Sequence, residues 1–183
     1  MSVIETYLDL LDSQRETAFN ALNGISDSQL WRPPAPKEWS IGQLLNHNYL
    51  LVASTVPYVK VAWKYFHKRG ERYRRRPYQT EIGDVYREPK FPMWVGFLWK
   101  PKYSAKRAVT FEKIKDEIRA LHFDVRTFYF DKDEDVLGNV HLYDPLFGWI
   151  NLIVTLRIGI YHDQLHFDDM IKLAGEMRGI HAD

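Results

Sequence analysis

The sequence predicts an all-α fold, a four-helix bundle with a long irregular insertion between helices 2 and 3. Two observations predict this fold: four long segments carry apolar residues at spacings of three and four, and no strand pattern of useful length accompanies them. The chain has 183 residues, of which 45% are hydrophobic. This is enough for a full core, so residues 1–183 are expected to form a single domain.

The first predicted helix covers residues 3–22. Ser2 and Glu5 have the spacing of a capping box, in which each residue satisfies a backbone N–H of the other. Asn23–Gly24 ends the apolar periodicity, and the proline-rich segment 33–36 forbids further helix because proline lacks a backbone donor. The chain is therefore expected to cross the surface before the second helix.

The second predicted helix is long and carries the first candidate metal ligand. Ser40 and Gln43 form another capping box, and the apolar pattern continues to about Lys68. His47 lies in the second turn, on the same side as the core-facing leucines. Pro57 falls inside this helix, where it is expected to introduce a kink.

The insertion, residues 69–109, contains a basic run and an aromatic run. The basic run, Arg69–Arg76, is interpreted as a solvated loop rather than a phosphate or nucleic-acid site, because the whole chain balances 25 basic against 24 acidic residues. No nucleic-acid partner is expected. The aromatic run, Phe91–Trp99, is expected to be buried against its own bundle, with a homodimer interface as the alternative and membrane contact third.

The third predicted helix covers residues 111–130 and follows Thr110, a plausible N-cap. A charged loop and two turn motifs then lead to the fourth helix, residues 152–174, which Asn151 is expected to cap. This last helix carries the paired histidines His162 and His166.

Composition excludes several classes of site. Without cysteine, the chain has no disulfide, thiolate ligand or cysteine nucleophile. The N-terminus lacks a basic-then-apolar signal pattern, and about 18 uninterrupted apolar residues occur nowhere. A cytoplasmic protein without membrane contact is the expectation.

The histidines suggest a metal site. His162 and His166 are four residues apart, so both rings project from one helix face and can hold one ion, with His47 as the third ligand. The competing interpretation is that these are ordinary core histidines held by hydrogen bonds. The metal interpretation gains weight because three unpartnered core imidazoles would be costly. Thr155 and Gly159, small residues on the same face, would leave space beside the ion.

Two polar residues are candidates for orienting the ligands. Asp169, three residues after His166, could accept the free imidazole N–H, and Gln43 could do the same for His47. The alternative for both is a solvated helix residue, and Gln43 is interpreted as the cap partner of Ser40. Asp163 projects about 100° from His162 on an ideal helix and is not expected to be a ligand.

Three segments resemble the DinB/YfiT-like metalloproteins. Residues 36–47 are similar to that family's proline-rich approach, Trp-Ser helix start and first histidine. Residues 144–148 and 161–166 resemble its turn and its paired-histidine helix. The resemblance implies a four-helix bundle that binds one divalent metal through His47, His162 and His166. Nickel or zinc is implied first, with iron or manganese as alternatives.

The resemblance also bears on function. Related proteins include enzymes that join low-molecular-weight thiols to electrophiles, a thiol-dependent isomerase and iron-bearing domains of sulfoxide synthases. The resemblance implies that this chain is a metal-dependent thiol S-transferase or related hydrolase that acts on a small molecule. A non-catalytic metal-binding or stress-associated protein is the alternative. The insertion departs furthest from the short members of the family, so it bears most on the substrate.

Overall fold

The computed structural model describes residues 2–87 and 99–179. Two strands form an antiparallel pair, and short 3-10 turns occur at Val85–Arg87 and Ala105–Arg107. The elements in chain order are α1 (Val3–Ala21), α2 (Asp27–Leu30), α3 (Ile41–Tyr73), α4 (Phe111–Phe130), α5 (Glu134–Leu137), β1 (His141–Asp144), β2 (Gly148–Asn151) and α6 (Leu152–Met177).

The long helices α1, α3, α4 and α6 form a four-helix bundle, as predicted. Helix α1 packs against α4 and α6, and α3 packs against the same two helices from the other side. Each helix buries its apolar face in the shared core, which is how a bundle removes apolar surface from water. None of the described helices is long and apolar enough to cross a membrane.

The predicted helix starts are confirmed at the atomic level. Ser2 and Ser40 each accept a hydrogen bond from the backbone N–H three residues later, and the side chains of Glu5 and Gln43 complete the two capping boxes. Thr110 and Asn151 cap α4 and α6, each by accepting a hydrogen bond from the backbone N–H three residues later. These contacts span only three residues, so the local sequence is sufficient to specify them.

The structure adds to the predicted all-α fold a short two-stranded hairpin that the sequence pattern did not indicate. Strand β1 pairs with β2 in the register His141↔Asn151, and the turn between them uses Gly148 at φ +73°. Asp144 stabilises this turn, because its Oδ1 accepts from the backbone N–H of Leu146 at 2.7 Å and of Phe147 at 3.1 Å. With four residues each, the strands are too short to show a clear alternation of apolar and polar positions.

The second helix was also predicted too short, since α3 continues to Tyr73 rather than ending near Lys68. The first part of the basic run is therefore helical. The guanidinium groups of Arg69 and Arg76 lie 5.9 and 4.0 Å from the centre of the Tyr73 ring. Residues 88–98, which include most of the aromatic run, lie outside the described residues.

The core consists of two main apolar clusters with polar side chains between them. One cluster includes Leu11, Val125 and Ile160, and the other includes Ile118 and Phe167. Apart from Lys115, the buried polar residues of the long helices fall in the sequence between the members of these clusters; they are Gln14, Arg15, Asn46, His47, Asn48, His122, His162, Asp163 and His166. This polar layer holds the candidate site.

Candidate metal centre

The bundle brings the three predicted ligands together. His47 projects from the second turn of α3, and His162 and His166 project from one face of α6; all three are buried. One ring nitrogen from each residue lies within 4.8 Å of the other two. The ring centroids are 5.0 Å apart for His47 and His162 and 4.7 Å apart for His162 and His166.

The orientation of His47 is set by Trp99, the last residue of the aromatic run. Its Nδ1–H donates to the carbonyl oxygen of Trp99 at 2.9 Å, and its Nε2 lies 3.1 Å from Nε2 of His162. Since a carbonyl can only accept, the proton of neutral His47 must be on Nδ1, which leaves a lone pair on Nε2. The Trp99 indole N–H donates to Ser54 Oγ at 2.7 Å, which anchors this segment to α3.

Burial favours the neutral form of His47 and of His162. It lowers the pKa of His47 from its usual 6.5 to about 4, against the opposing effect of the hydrogen bond to Trp99. Burial also lowers the pKa of His162. Neutral imidazole is the form that binds a metal, so these two rings are ready for coordination at pH 7.

The polar neighbours of the cluster differ from the sequence expectation in part. Asp169 Oδ2 lies 3.6 Å from Nδ1 of His166, on a half-exposed side chain. Gln43 serves as the cap partner of Ser40, as the preferred interpretation had it. Asp163 is fully buried, and its Oδ1 lies 3.8 Å from Nδ1 of His162.

Sequence reasoning missed the pair formed by His122 and Asp163. Nε2 of His122 lies 3.2 Å from Oδ2 of Asp163, and both side chains are almost completely buried. Burial by itself would raise the pKa of Asp163, but the contacts with His122 and His162 outweigh it and lower that pKa. The sequence does indicate that His122 is buried, because it lies four residues after Ile118 and three before Val125, on the core face of α4.

A cavity of about 220 Å³ adjoins the histidine cluster. Apolar side chains from α3, α4 and α6 form most of its wall; they include Leu51, Val52, Val56, Val125, Phe128, Leu156 and Ile158. Thr155 and Gly159 line it, as their small size predicted. The cavity places open space beside the three histidines, where a ligand could enter.

The donor set fits a divalent metal ion. The tautomer of His47 directs an Nε2 lone pair toward Nε2 of His162, 3.1 Å away, and one ring nitrogen of His166 lies within 4.8 Å of the other two residues' nitrogens. Ring nitrogens that converge in this way can bind one ion. Three neutral nitrogen donors are a common ligand set for zinc and related metals.

Comparison with known proteins agrees with this architecture. A model of the DinB superfamily matches residues 10–170. Among solved structures, YfiT from Bacillus subtilis is similar, with a TM-score of 0.61, 14% identity, and coverage of 96% of this chain and 87% of that one. YfiT is described as a probable metal-dependent hydrolase with an unusual four-helix bundle topology. No curated protein sequence matches the chain.

Proposed function

Because this chain belongs to the DinB superfamily, we propose that it is a metal-dependent enzyme acting on a small molecule. His47, His162 and His166 would hold one divalent metal ion, with nickel or zinc as the first candidates and iron or manganese as alternatives. Whether the reaction is hydrolysis or transfer of a low-molecular-weight thiol is decided by the experiments below.

The observation that carries this proposal is the cavity beside the cluster. A purely structural metal site is usually closed by four protein ligands, whereas a catalytic site keeps a position for water or substrate. Here three donors converge at a cavity of about 220 Å³. This arrangement supports an enzyme over a non-catalytic metal-binding protein.

The chain's own residues would hold and orient the ligands. Trp99 fixes the tautomer of His47 through its carbonyl, and Asp169 is placed near Nδ1 of His166, where it would accept that N–H. A divalent ion held by three neutral imidazoles would make a water or thiol more acidic and so supply a nucleophile at neutral pH. The apolar walls would exclude bulk water from the reacting groups.

Two reaction types remain candidates, each with its own support. The structural neighbour YfiT, described as a probable metal-dependent hydrolase, supports hydrolysis. The family resemblance supports thiol S-transfer. In either case the substrate would be a small molecule, since the cavity between the helices holds about 220 Å³.

The metal assignment is tested by single substitutions of the three histidines. His47→Ala, His162→Ala and His166→Ala should each reduce metal content, measured by plasma mass spectrometry of the purified protein, by at least about tenfold, because two imidazoles bind an ion far more weakly than three. His67→Ala is the matched control, since that histidine bonds the backbone of its own helix. Undiminished metal in all three variants would exclude the site.

The reaction type is tested on the metal-loaded protein with two assays. Hydrolysis is followed with p-nitrophenyl acetate, and thiol transfer with 1-chloro-2,4-dinitrobenzene plus a low-molecular-weight thiol. We expect turnover in one assay that is lost in His162→Ala and retained in His67→Ala. Full metal occupancy without turnover in either assay would favour the non-catalytic alternative.

A further inference from the structure

One buried nitrogen of a cavity-lining residue has no assigned function. His122 lines the cavity, and its Nδ1 is buried with no hydrogen-bond partner in the described part of the chain. The residue as a whole is 2% exposed. A buried ring nitrogen without a partner loses its hydrogen bonds to water, and a ligand that donates to it would restore one.

The proton of His122 is placed by Asp163. Oδ2 of Asp163 lies 3.2 Å from Nε2 of His122, at an angle outside that of a hydrogen bond. The negative charge of the carboxylate at this distance favours the tautomer that has its proton on Nε2. Nδ1 is left with a lone pair and can only accept a hydrogen bond.

The rest of the wall restricts what can bind. Most lining residues are apolar, and no lysine or arginine is among the described lining residues. The two charged lining groups are the carboxylates of Asp144 and Asp163. An anionic ligand would lose its hydration without gaining a cationic side chain, so the wall disfavours a carboxylate or phosphate in the apolar part of the cavity.

We propose that this cavity binds a small, uncharged, mainly apolar molecule whose O–H or N–H group donates a hydrogen bond to Nδ1 of His122. An apolar cavity of about 150 Å³ can hold benzene, so one of about 220 Å³ has room for a substituted ring. That this molecule is the substrate rests on the proposed function. His122 is then a specificity-determining residue that selects donor-bearing ligands.

The test compares two probes of the same shape. p-Cresol carries an O–H donor, and toluene is its apolar counterpart; both are titrated into the full chain by calorimetry in the presence of EDTA. The wild type should bind p-cresol about five- to tenfold more tightly than toluene, as expected for one neutral hydrogen bond in a dry site. If neither p-cresol nor toluene binds, the proposal is overturned.

Variants assign the preference to His122. His122→Leu should bind both probes with similar affinity, because it removes the acceptor. Asp163→Asn retains the histidine and the side-chain size, and it should also reduce the preference, because the proton is then free to move to Nδ1. If His122→Leu does not fold, the result for Asp163→Asn decides whether the preference depends on His122. His67→Leu is the control and should keep the preference.

A third variant locates the probes. A Cβ at Gly159 would meet no described atom within 4 Å, so Gly159→Leu has space to extend into the cavity it lines. It should abolish binding of both probes. Full affinity in Gly159→Leu, or an unchanged preference in both His122→Leu and Asp163→Asn, would refute the proposal.

The two proposals fail separately. Because EDTA removes metal from the titrations, probe binding reports on the cavity and His122 alone. If the wild type binds zinc normally at the histidine cluster but shows no preference for p-cresol over toluene, only the inference about His122 is refuted. Absence of zinc binding, with the p-cresol preference intact, would refute only the proposed function.

Discussion

At the scale of single residues, His47 joins the cluster to the insertion. Its Nδ1–H donates to the carbonyl of Trp99, 52 positions further along the chain, while its Nε2 faces His162. Trp99 is held in turn by the hydrogen bond from its indole to Ser54. Groups that orient a ligand in this way usually affect metal affinity strongly. The described end of the aromatic run therefore borders the cavity and the site.

Removing the indole N–H should weaken metal binding without changing a ligand. Trp99→Phe loses the bond to Ser54 and frees the segment whose carbonyl holds His47. We expect the dissociation constant for zinc to rise about tenfold, at the lower end of the effects known for such partners, as measured by competition with a chromophoric chelator. Trp149→Phe, at an exposed position of β2, is the matched control.

An unchanged zinc affinity in Trp99→Phe would mean that the backbone of this segment is held by other contacts. One such contact is present, since Asn46 Oδ1 accepts from the backbone N–H of Lys102 at 2.8 Å. The double variant Asn46→Ala/Trp99→Phe would separate the two contributions.

At the scale of elements, two glycines inside long helices have opposite surroundings. A Cβ at Gly70 in α3 would lie 2.8 Å from Cγ2 of Val140 and 2.9 Å from the carbonyl oxygen of Val136. A Cβ at Gly159 in α6 would meet nothing within 4 Å in the described structure. Gly70 thus allows α3 to pass close to α5, whereas Gly159 contributes space to the cavity.

The same substitution should therefore have opposite effects at these two positions. Gly159→Ala should raise the free energy of unfolding by about 1 kcal/mol, the difference in helix propensity. Gly70→Ala should lower it, because the backbone carbonyl of Val136 cannot easily move aside and overpacking, at about 1–3 kcal/mol, outweighs the propensity gain. Urea denaturation followed by circular dichroism measures both. Stabilisation by Gly70→Ala would contradict the close approach of α5.

At the scale of the whole molecule, ion pairs join α1 to α4 across the surface of the bundle. The Arg119 guanidinium donates to both carboxylate oxygens of Glu16, at 2.9 and 3.1 Å. Arg126 contacts Asp12 and Asp9, each at 2.7 Å. The hydrogen bond from Arg119 is the main reason that the pKa of Glu16 falls from its usual 4.5 to about 2.

This shift predicts how the stability of the fold depends on pH. Unfolded chains take up a proton at Glu16 below pH 4.5, whereas the folded protein resists protonation until about pH 2. The contribution of ionised Glu16 to the free energy of unfolding is therefore fully present above pH 4.5 and is lost as pH falls toward 2. Because Glu16 is partly exposed, solvent screening limits the effect to about 1 kcal/mol or less.

Comparing wild type with Glu16→Gln isolates this contribution. The difference in their free energies of unfolding, measured by urea denaturation, should be largest near pH 6 and should shrink between pH 4.5 and 2. Glu176→Gln, at an exposed position of α6, serves as the control. A difference that stays constant across this pH range would show that the ion pair does not contribute to stability.

Much of the fold was predictable because the controlling interactions are local. The capping contacts of Ser2 and Ser40 join residues three apart, and the apolar spacing along each helix decides which face is buried. The same spacing places His162 and His166 on one face of α6, so their convergence followed from helix geometry alone. Placing His47 beside these two histidines required only that the core faces of α3 and α6 meet.

The tertiary structure alone decided the contacts between residues far apart in the sequence. Nothing local to Trp99 indicates that its carbonyl accepts from His47, and nothing local to His122 indicates that Asp163 lies against it. The hairpin of β1 and β2 likewise depends on strand pairing, and four-residue strands are too short to show it as a pattern in the sequence. The sequence by itself determined the helices and the three candidate ligands, because those follow from backbone periodicity. The partners of these ligands and the cavity depend on how the helices pack, so only the folded chain specifies them.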